Sequence, residues 1–284
     1  MTQSVTRTWL ITGVSSGLGR SLAETALARG DVVAGTVRTL KDKEAFEAAA
    51  PDRALGFLLD VTDTKAVEQT VAAVEDTTGG VDILVNNAGY CLVGAVEEAS
   101  MAEIRAQFDV NVFGAIAVIQ AVLPFMRGRR AGHIVNISSI SGLAAWAGTG
   151  IYCASKFALE GATQTLAQEV GVLGIKVTNI EPGGIRTDFA GRSLAHTDRI
   201  IDDYNDTAHD SRRIIAEHLG HEPNDPKKVA QAVLKIVDSE HPPLHLLLGN
   251  DAMYYVGKSL GAFQSEMAEW SSLTFDTGFD ESND

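Results

Sequence analysis

Tyr152 and Lys156 stand four positions apart, so a helix through them carries both side chains on one face. A free tyrosine loses its proton near pH ~10. An ammonium beside it stabilises the phenolate and lowers that value. Such a pair can give a proton to a carbonyl oxygen or take one from an alcohol. A second stretch, Thr12-Gly13-Val14-Ser15-Ser16-Gly17-Leu18-Gly19, is built for phosphate. Its glycines permit a tight turn and close backbone approach, and a following helix would offer free N–H groups and the positive end of its dipole to a pyrophosphate.

The elements that must position these residues follow from apolar periodicity. Short runs at Thr8–Thr12, Val32–Val37, Leu55–Leu59, Ile83–Val85, His133–Ile137, Val177–Ile180 and Leu244–Leu248 have the character of strands buried on both faces. Helical patterns lie between them, at Leu18–Arg29, Leu40–Ala50, Thr64–Thr77, Met101–Met126, Ile151–Val172 and Pro226–Asp238. Ser100 and Glu103 have capping-box spacing, and Asp225-Pro226 suits an N-cap followed by a first-turn proline. Gly30 and Gly174 fall where helices should end. Strict alternation predicts one α/β domain: a doubly wound, mostly parallel, seven-stranded Rossmann-type sheet with helices on both faces. The catalytic and nucleotide-binding unit spans 1–248, with a polar, irregular segment at about 184–224 read as a substrate lid.

The glycine spacing is Gly-x-x-x-Gly-x-Gly, and three further motifs keep it company: Asn86-Asn87-Ala88-Gly89 at the end of the fourth strand, Ser139 with Tyr152 and Lys156, and Pro182-Gly183 after the sixth strand. Together they resemble the short-chain dehydrogenase/reductase family, over roughly Thr8 to Leu248. The long region after Pro182-Gly183 looks like the hydroxysteroid- and retinol-dehydrogenase-like branch.

The resemblance implies a nicotinamide cofactor over Gly13, Ser15, Ser16, Gly17, Leu18 and Gly19, with Asp60 and Val61 at the adenine and Asn87, Ala88 and Gly89 along the adenine ribose. Pro182, Gly183, Ile185 and Thr187 fall on the nicotinamide side, Thr187 near its carboxamide. A carboxylate that would bind a ribose 2′-hydroxyl is expected at the end of the second strand. Val37 stands there and Arg38 follows, which favours NADP(H) over NAD(H) through a charge-assisted contact to a 2′-phosphate. Ser139 would polarise the substrate oxygen beside the phenol. Lys156 would also hold the nicotinamide ribose, and Asn111 would hold a water linking Lys156 to solvent. Asn111 is alternatively a structural residue that bends its helix. The expected reaction is hydride transfer between the nicotinamide and a carbonyl or secondary alcohol. Gly142–Ala147, between the catalytic residues, is apolar and mostly small, which suits a small hydrophobic substrate. A non-catalytic NADP(H)-binding regulator, or an epimerase or dehydratase on the same scaffold, are the competing readings.

Bulk properties narrow the partners. A formal net charge of −14 disfavours nucleic acid and anionic membrane. Cys91 and Cys153 form neither a disulfide framework nor a metal-ligand spacing, so no metal is expected and a reducing, cytoplasmic setting fits. No signal-like stretch opens the chain, and no window is read as long enough for a membrane span. The family resemblance implies pairing through the long helices Met101–Met126 and Ile151–Val172, hence an expected homodimer or homotetramer. The acidic extension 249–284 reads as a solvated, partly disordered tail, although Tyr254, Tyr255, Phe263 and Trp270 leave open that it covers the pocket or packs on a subunit.

Overall fold

The computed structural model describes residues 6–279. In chain order the elements are β1 (Thr8–Thr12), α1 (Gly17–Arg29), β2 (Val32–Val37), α2 (Leu40–Glu47), β3 (Ala54–Leu58), α3 (Thr64–Thr78), β4 (Ile83–Asn86), β5 (Cys91–Val93), α4 (Met101–Phe108), a π-turn (Asp109–Gly114) and α5 (Ala115–Arg129). Then follow β6 (Gly132–Ile137), α6 (Gly150–Val170), β7 (Ile175–Pro182), α7 (Phe189–Arg192), β8 (Leu194–His196), α8 (Ala208–His218), α9 (Pro226–Val237), β9 (His245–Leu248), α10 (Asn250–Glu269) and α11 (Ser271–Phe275). Seven strands form one parallel sheet in the order β3-β2-β1-β4-β6-β7-β9. The chain order reverses between β1 and β4, and open sheets of this type bind ligands at that switch point.

Alternating residues of each strand feed two cores. Trp9 and Ile11 pack with Leu22, Val229 and Val233 on one face. Leu10 packs with Val71, Val118, Val122 and Met126 on the other. Each fully buried aliphatic side chain contributes about 1.5–3 kcal/mol, which is why uninterrupted apolar strands dominate the centre. The helix ends behave as the local sequence dictates. Gly30 closes α1 in the left-handed conformation (φ 102°), Ser100 and Glu103 form a complete capping box, and Asp225 accepts from Lys227 N at 2.8 Å.

Three expectations need correction. The lid is not irregular: it contains β8, which pairs in parallel with β5, and the amphipathic α8. Neither has the length or apolar run that periodicity detects. The acidic extension is not a loose tail within the described residues. Its acids are spread among strong helix formers, and Ala252 and Val256 on the inner face of α10 are fully buried. Lastly, Met101–Arg129 is one 29-residue helix, long and apolar enough by composition to cross a membrane. Its charges cluster at the two ends and leave Val110–Met126 without one. Val118, Val122 and Met126 nevertheless lie in the core, while Phe113 and Phe125 are exposed.

Candidate active site

The glycine turn leaves β1 directly. Gly13 has φ +76° and Gly17 φ +60°, conformations that favour glycine. A Cβ on Gly19 would fall into the Gly13 carbonyl and the Asn87 amide, so α1 can start this close to the turn only without a side chain there. Ser16 caps α1 with no side-chain hydrogen bond, so the first N–H groups of the helix keep no internal acceptor, and Leu18 anchors its first turn in the core. This cradle fits a dinucleotide pyrophosphate.

Asn87 does something the motif alone does not reveal. Its side-chain amide donates to Thr12 O (2.9 Å) and Gly13 O (3.0 Å), while Thr12 Oγ1 accepts from Asn87 N (2.9 Å) and Ala88 N (3.0 Å). The Asn-Asn-Ala-Gly turn is thereby stitched to the glycine turn. Arg38 is exposed immediately after β2. Asp60 lies close enough for the Arg38 charge to act on it; its carboxyl is held below the usual range mainly by bonds from the Thr62 amide and hydroxyl. Val61 is buried against Gly114 in the π-turn. On the far side, Thr187 approaches Gly17, and Pro182, Gly183 and Ile185 lead from β7 into the lid.

Ser139 follows β6, and its hydroxyl accepts from Ser141 N at 3.0 Å. Tyr152 and Lys156 project from one face of α6, both buried. Lys156 Nζ donates to Ile137 O at 2.8 Å and lies 5.8 Å from the Tyr152 ring centroid. Burial pulls the ammonium down to about 8, opposed by Glu160. The expectation that Lys156 lowers the phenol needs correction: burial dominates and pushes Tyr152 up, the nearby Cys91 adds to this, and the Ser139 hydroxyl pulls the other way. A deeply desolvated phenolate is too costly without further positive charge, so the phenol stands protonated.

Asn111 also differs from expectation. It lies in a π-turn rather than an ordinary helix. Its amide donates to Tyr90 O (2.9 Å) and Ser155 Oγ (3.2 Å), and its oxygen accepts from Tyr90 N (3.1 Å). The side chain ties the turn before β5 to α6. Gly89 lies against it, where a Cβ would meet the amide oxygen at 3.1 Å.

Apolar groups surround the phenol. Tyr152 packs with Cys91, Val93, Leu194 and Ile215, and its ring is 6.4 Å from that of Phe189. Three of these come from the 184–224 segment, which therefore covers the Tyr152 ring. That segment is latched by Glu98, which is fully buried and accepts from Ala95 N (2.8 Å) and Ile201 N (2.7 Å) and bonds His209 (2.7 Å). Burial pushes that carboxyl up, but these bonds outweigh it and hold it at about 2.

A buried polar row escaped sequence reading. Asn86 donates to Asn136 (2.8 Å), Asn136 to Thr163 (3.1 Å), and Asn179 to Glu160. It fastens α6, the carrier of Tyr152 and Lys156, to three strands. Glu160, Glu181 and His245 form the one metal-type cluster found among the described residues. There His245 Nδ1 bonds Glu181 at 2.5 Å, a hydrogen-bond geometry. The signal in the sequence was polar residues within apolar strands, at Asn136, Asn179 and Glu181, with Glu160 and Thr163 on α6.

A phosphate-binding turn at the switch point, facing a buried Ser–Tyr–Lys group, defines a dinucleotide-dependent oxidoreductase. The family model described as short chain dehydrogenase matches residues 7–198, and the chain belongs to the short-chain dehydrogenase/reductase family. Retinol dehydrogenase 8 of Homo sapiens is 40% identical over 84% of this chain and 80% of its own length. A 3-ketodihydrosphingosine reductase of Bacteroides thetaiotaomicron is 36% identical over 94% of this chain and 96% of its own. A short-chain dehydrogenase structure from Streptomyces avermitilis superposes with a TM-score of 0.91, at 40% identity, over 98% of this chain and all of that one.

Proposed function

We propose that the chain is an NADP(H)-preferring oxidoreductase acting on a carbonyl or secondary alcohol of a small hydrophobic molecule. The observation that carries this reading is the buried Tyr152 phenol set with Ser139 and Lys156 under an apolar cover. When bound, the nicotinamide supplies or accepts the hydride. Ser139 and Tyr152 donate hydrogen bonds to the substrate oxygen, stabilising the charge that grows there in reduction. Tyr152 passes its proton to that oxygen, giving the alcohol; oxidation reverses each transfer. Lys156, held by Ile137 O, stabilises the resulting phenolate.

Arg38 supports NADP(H), because no carboxylate occupies the end of β2 to repel a 2′-phosphate. The apolar lining by Val93, Phe189, Leu194 and Ile215 supports a hydrophobic substrate, as do the two relatives named for retinol and ketodihydrosphingosine. Exposed Phe113 on the π-turn, Phe125 on α5 and Phe157 on α6 support a homodimer or homotetramer. The free thiols Cys91 and Cys153 fit a reducing setting, and the cytoplasm is part of the same proposal.

The test is oxidation of NADPH and NADH at matched concentrations across ketones, aldehydes, steroids and retinoids. Faster NADPH turnover with hydrophobic carbonyls is expected. Faster NADH turnover would overturn the cofactor preference, and binding without turnover on any carbonyl or alcohol would overturn the activity.

A further inference from the structure

The first turn of α10 lies beyond the segment that the family model matches, yet it reaches into the cofactor side of the site. Asp251 Oδ2 accepts from Gly184 N at 2.8 Å. Asp251 Oδ1 accepts from Asn224 Nδ2 at 3.0 Å, and the same amide donates to Gly184 O at 2.9 Å. Both main-chain polar groups of Gly184 are thus taken by this pair of side chains. Gly183 N donates to Leu248 O at 3.0 Å, and Arg186 N donates to Asn224 O at 2.9 Å. The turn from β7 into the lid is therefore pinned from three sides.

The room for this arrangement is specific. A Cβ on Gly183 or on Gly249 would fall inside the Asp251 carboxylate, and one on Gly249 would also strike Asn224. Gly249 has φ +117°, a conformation side chains rarely adopt. Two glycines are thus kept bare around one carboxylate. Asp251 also shares its helix face with Tyr255 and Ser259, at i+4 and i+8. Tyr255 packs edge-on to Trp146 (5.8 Å), and Ser259 Oγ donates to Leu143 O (3.3 Å). One face of α10 therefore touches both the turn after β7 and the loop between Ser139 and Tyr152.

We infer that Asp251 is a positioning residue of the cofactor site, which clamps the Gly183–Gly184 turn in the shape that receives the nicotinamide end of the dinucleotide. The inference rests on the cofactor reading above. A carboxylate suits the task because its bonds to a main-chain N–H and a side-chain amide are charge-assisted and stiff. The adenine end falls on the other side of the switch point, at Arg38, Asp60 and Val61, whereas the bonds of Asp251 go to Gly184 and Asn224.

That separation supplies the test. Binding of NADPH and of 2′-phospho-ADP-ribose, which lacks only the nicotinamide ring, is measured by fluorescence and calorimetry on the full chain and on Asp251→Ala and Asn224→Ala. Loss of one charge-assisted contact should weaken NADPH about ten-fold in Asp251→Ala, with a smaller loss in Asn224→Ala. Affinity for 2′-phospho-ADP-ribose should stay unchanged in both. Asp251→Asn keeps an acceptor for Gly184 N and should recover part of the NADPH affinity. Unchanged NADPH binding in Asp251→Ala, or an equal loss for both ligands, would overturn the inference. A wild-type chain that bound neither ligand would overturn the cofactor reading itself, and this inference with it.

Discussion

Lys156 Nζ and the Ile137 carbonyl are 2.8 Å apart, and that bond fixes the distance between two elements. Ile137 ends β6 two residues before Ser139, and Lys156 sits one turn beyond Tyr152 on α6. One hydrogen bond therefore sets the serine hydroxyl, the phenol and the ammonium in a common frame. Buried and desolvated, the ammonium is lowered to about 8, so it is still mostly charged near neutrality.

Tyr152→Phe removes one hydroxyl and leaves that frame intact. Turnover should fall by about 10²–10⁴-fold, the range for a lost general acid. Cofactor affinity and the urea midpoint should stay close to wild type. Steady-state rates, cofactor titration and urea unfolding check the three together, and a variant with near-normal turnover would sink the proton-donor role.

How much of this could be read beforehand depended on whether local sequence carried the constraint. The seven sheet strands are all present, each within two residues of its expected bounds, because a strand buried on both faces must be apolar throughout. Gly13, Gly17 and Gly19 were legible because only glycine meets the left-handed backbone of the first two and the close approach at the third. Asn111 was legible as a buried amide but not in its partners, since Tyr90 and Ser155 are distant in the chain. Asp251, Asn224 and the Glu160–Glu181–His245 cluster were illegible for the same reason: their meaning lies in tertiary contacts. The extension was misjudged because acidity describes its surface, whereas Ala252 and Val256 decide that it packs.

Arg38→Asp should reverse the choice of nicotinamide. A carboxylate at this position would repel a 2′-phosphate and can accept from a ribose 2′-hydroxyl. NADPH affinity should fall at least ~10-fold, equivalent to about 1.4 kcal/mol, while NADH affinity holds or improves. Parallel fluorescence titrations give the answer. An unchanged ratio would place the phosphate-reading group elsewhere.

Glu181 sets a pH dependence of stability. Burial lifts its carboxyl from 4.5 to about 7, the Glu160 charge adds to the lift, and His245 opposes it. Between those values the folded chain holds more protons than the unfolded one. The stabilisation is whole below the unfolded value and is lost as pH rises through about 7. Melting temperature should therefore fall between about pH 4.5 and pH 7 and level off above, and Glu181→Gln should flatten that fall. Equal slopes in the two proteins, seen by differential scanning fluorimetry, would assign the pH effect to other groups.

Asp31 should be the costliest single polar loss outside the active site. Its side chain is fully buried, and it accepts from Trp9 Nε1 (2.8 Å), Arg7 N (3.1 Å) and Arg29 Nε (2.9 Å). Asp31→Ala strands an indole N–H beneath the sheet and leaves Arg29 without its inner partner. Breaking a buried pair in this way costs about 3–5 kcal/mol. Asp31→Asn keeps an acceptor and should lose less. Urea unfolding measures both, and a loss below ~1 kcal/mol in the alanine variant would equate the group with a surface ion pair.

Tyr255 offers a way to alter substrate choice without touching the reacting groups. Its ring meets Trp146 edge-on at 5.8 Å and Tyr254 at 5.2 Å, so it braces the loop that runs from Ser139 to Tyr152. Edge-to-face pairs of this kind contribute about 0.5–1.5 kcal/mol beyond their buried area. Tyr255→Ala removes the brace and opens space beside Trp146. KM should rise for small carbonyl substrates and rise less, or fall, for bulky ones. Affinity for NADPH should not change, because Tyr255 lies one turn beyond the residue that holds the Gly183–Gly184 turn. Tyr255→Phe keeps the ring and should behave as wild type, which separates packing from any part played by the hydroxyl. A uniform loss of kcat across substrates of all sizes would show instead that the loop supports the chemistry rather than the fit.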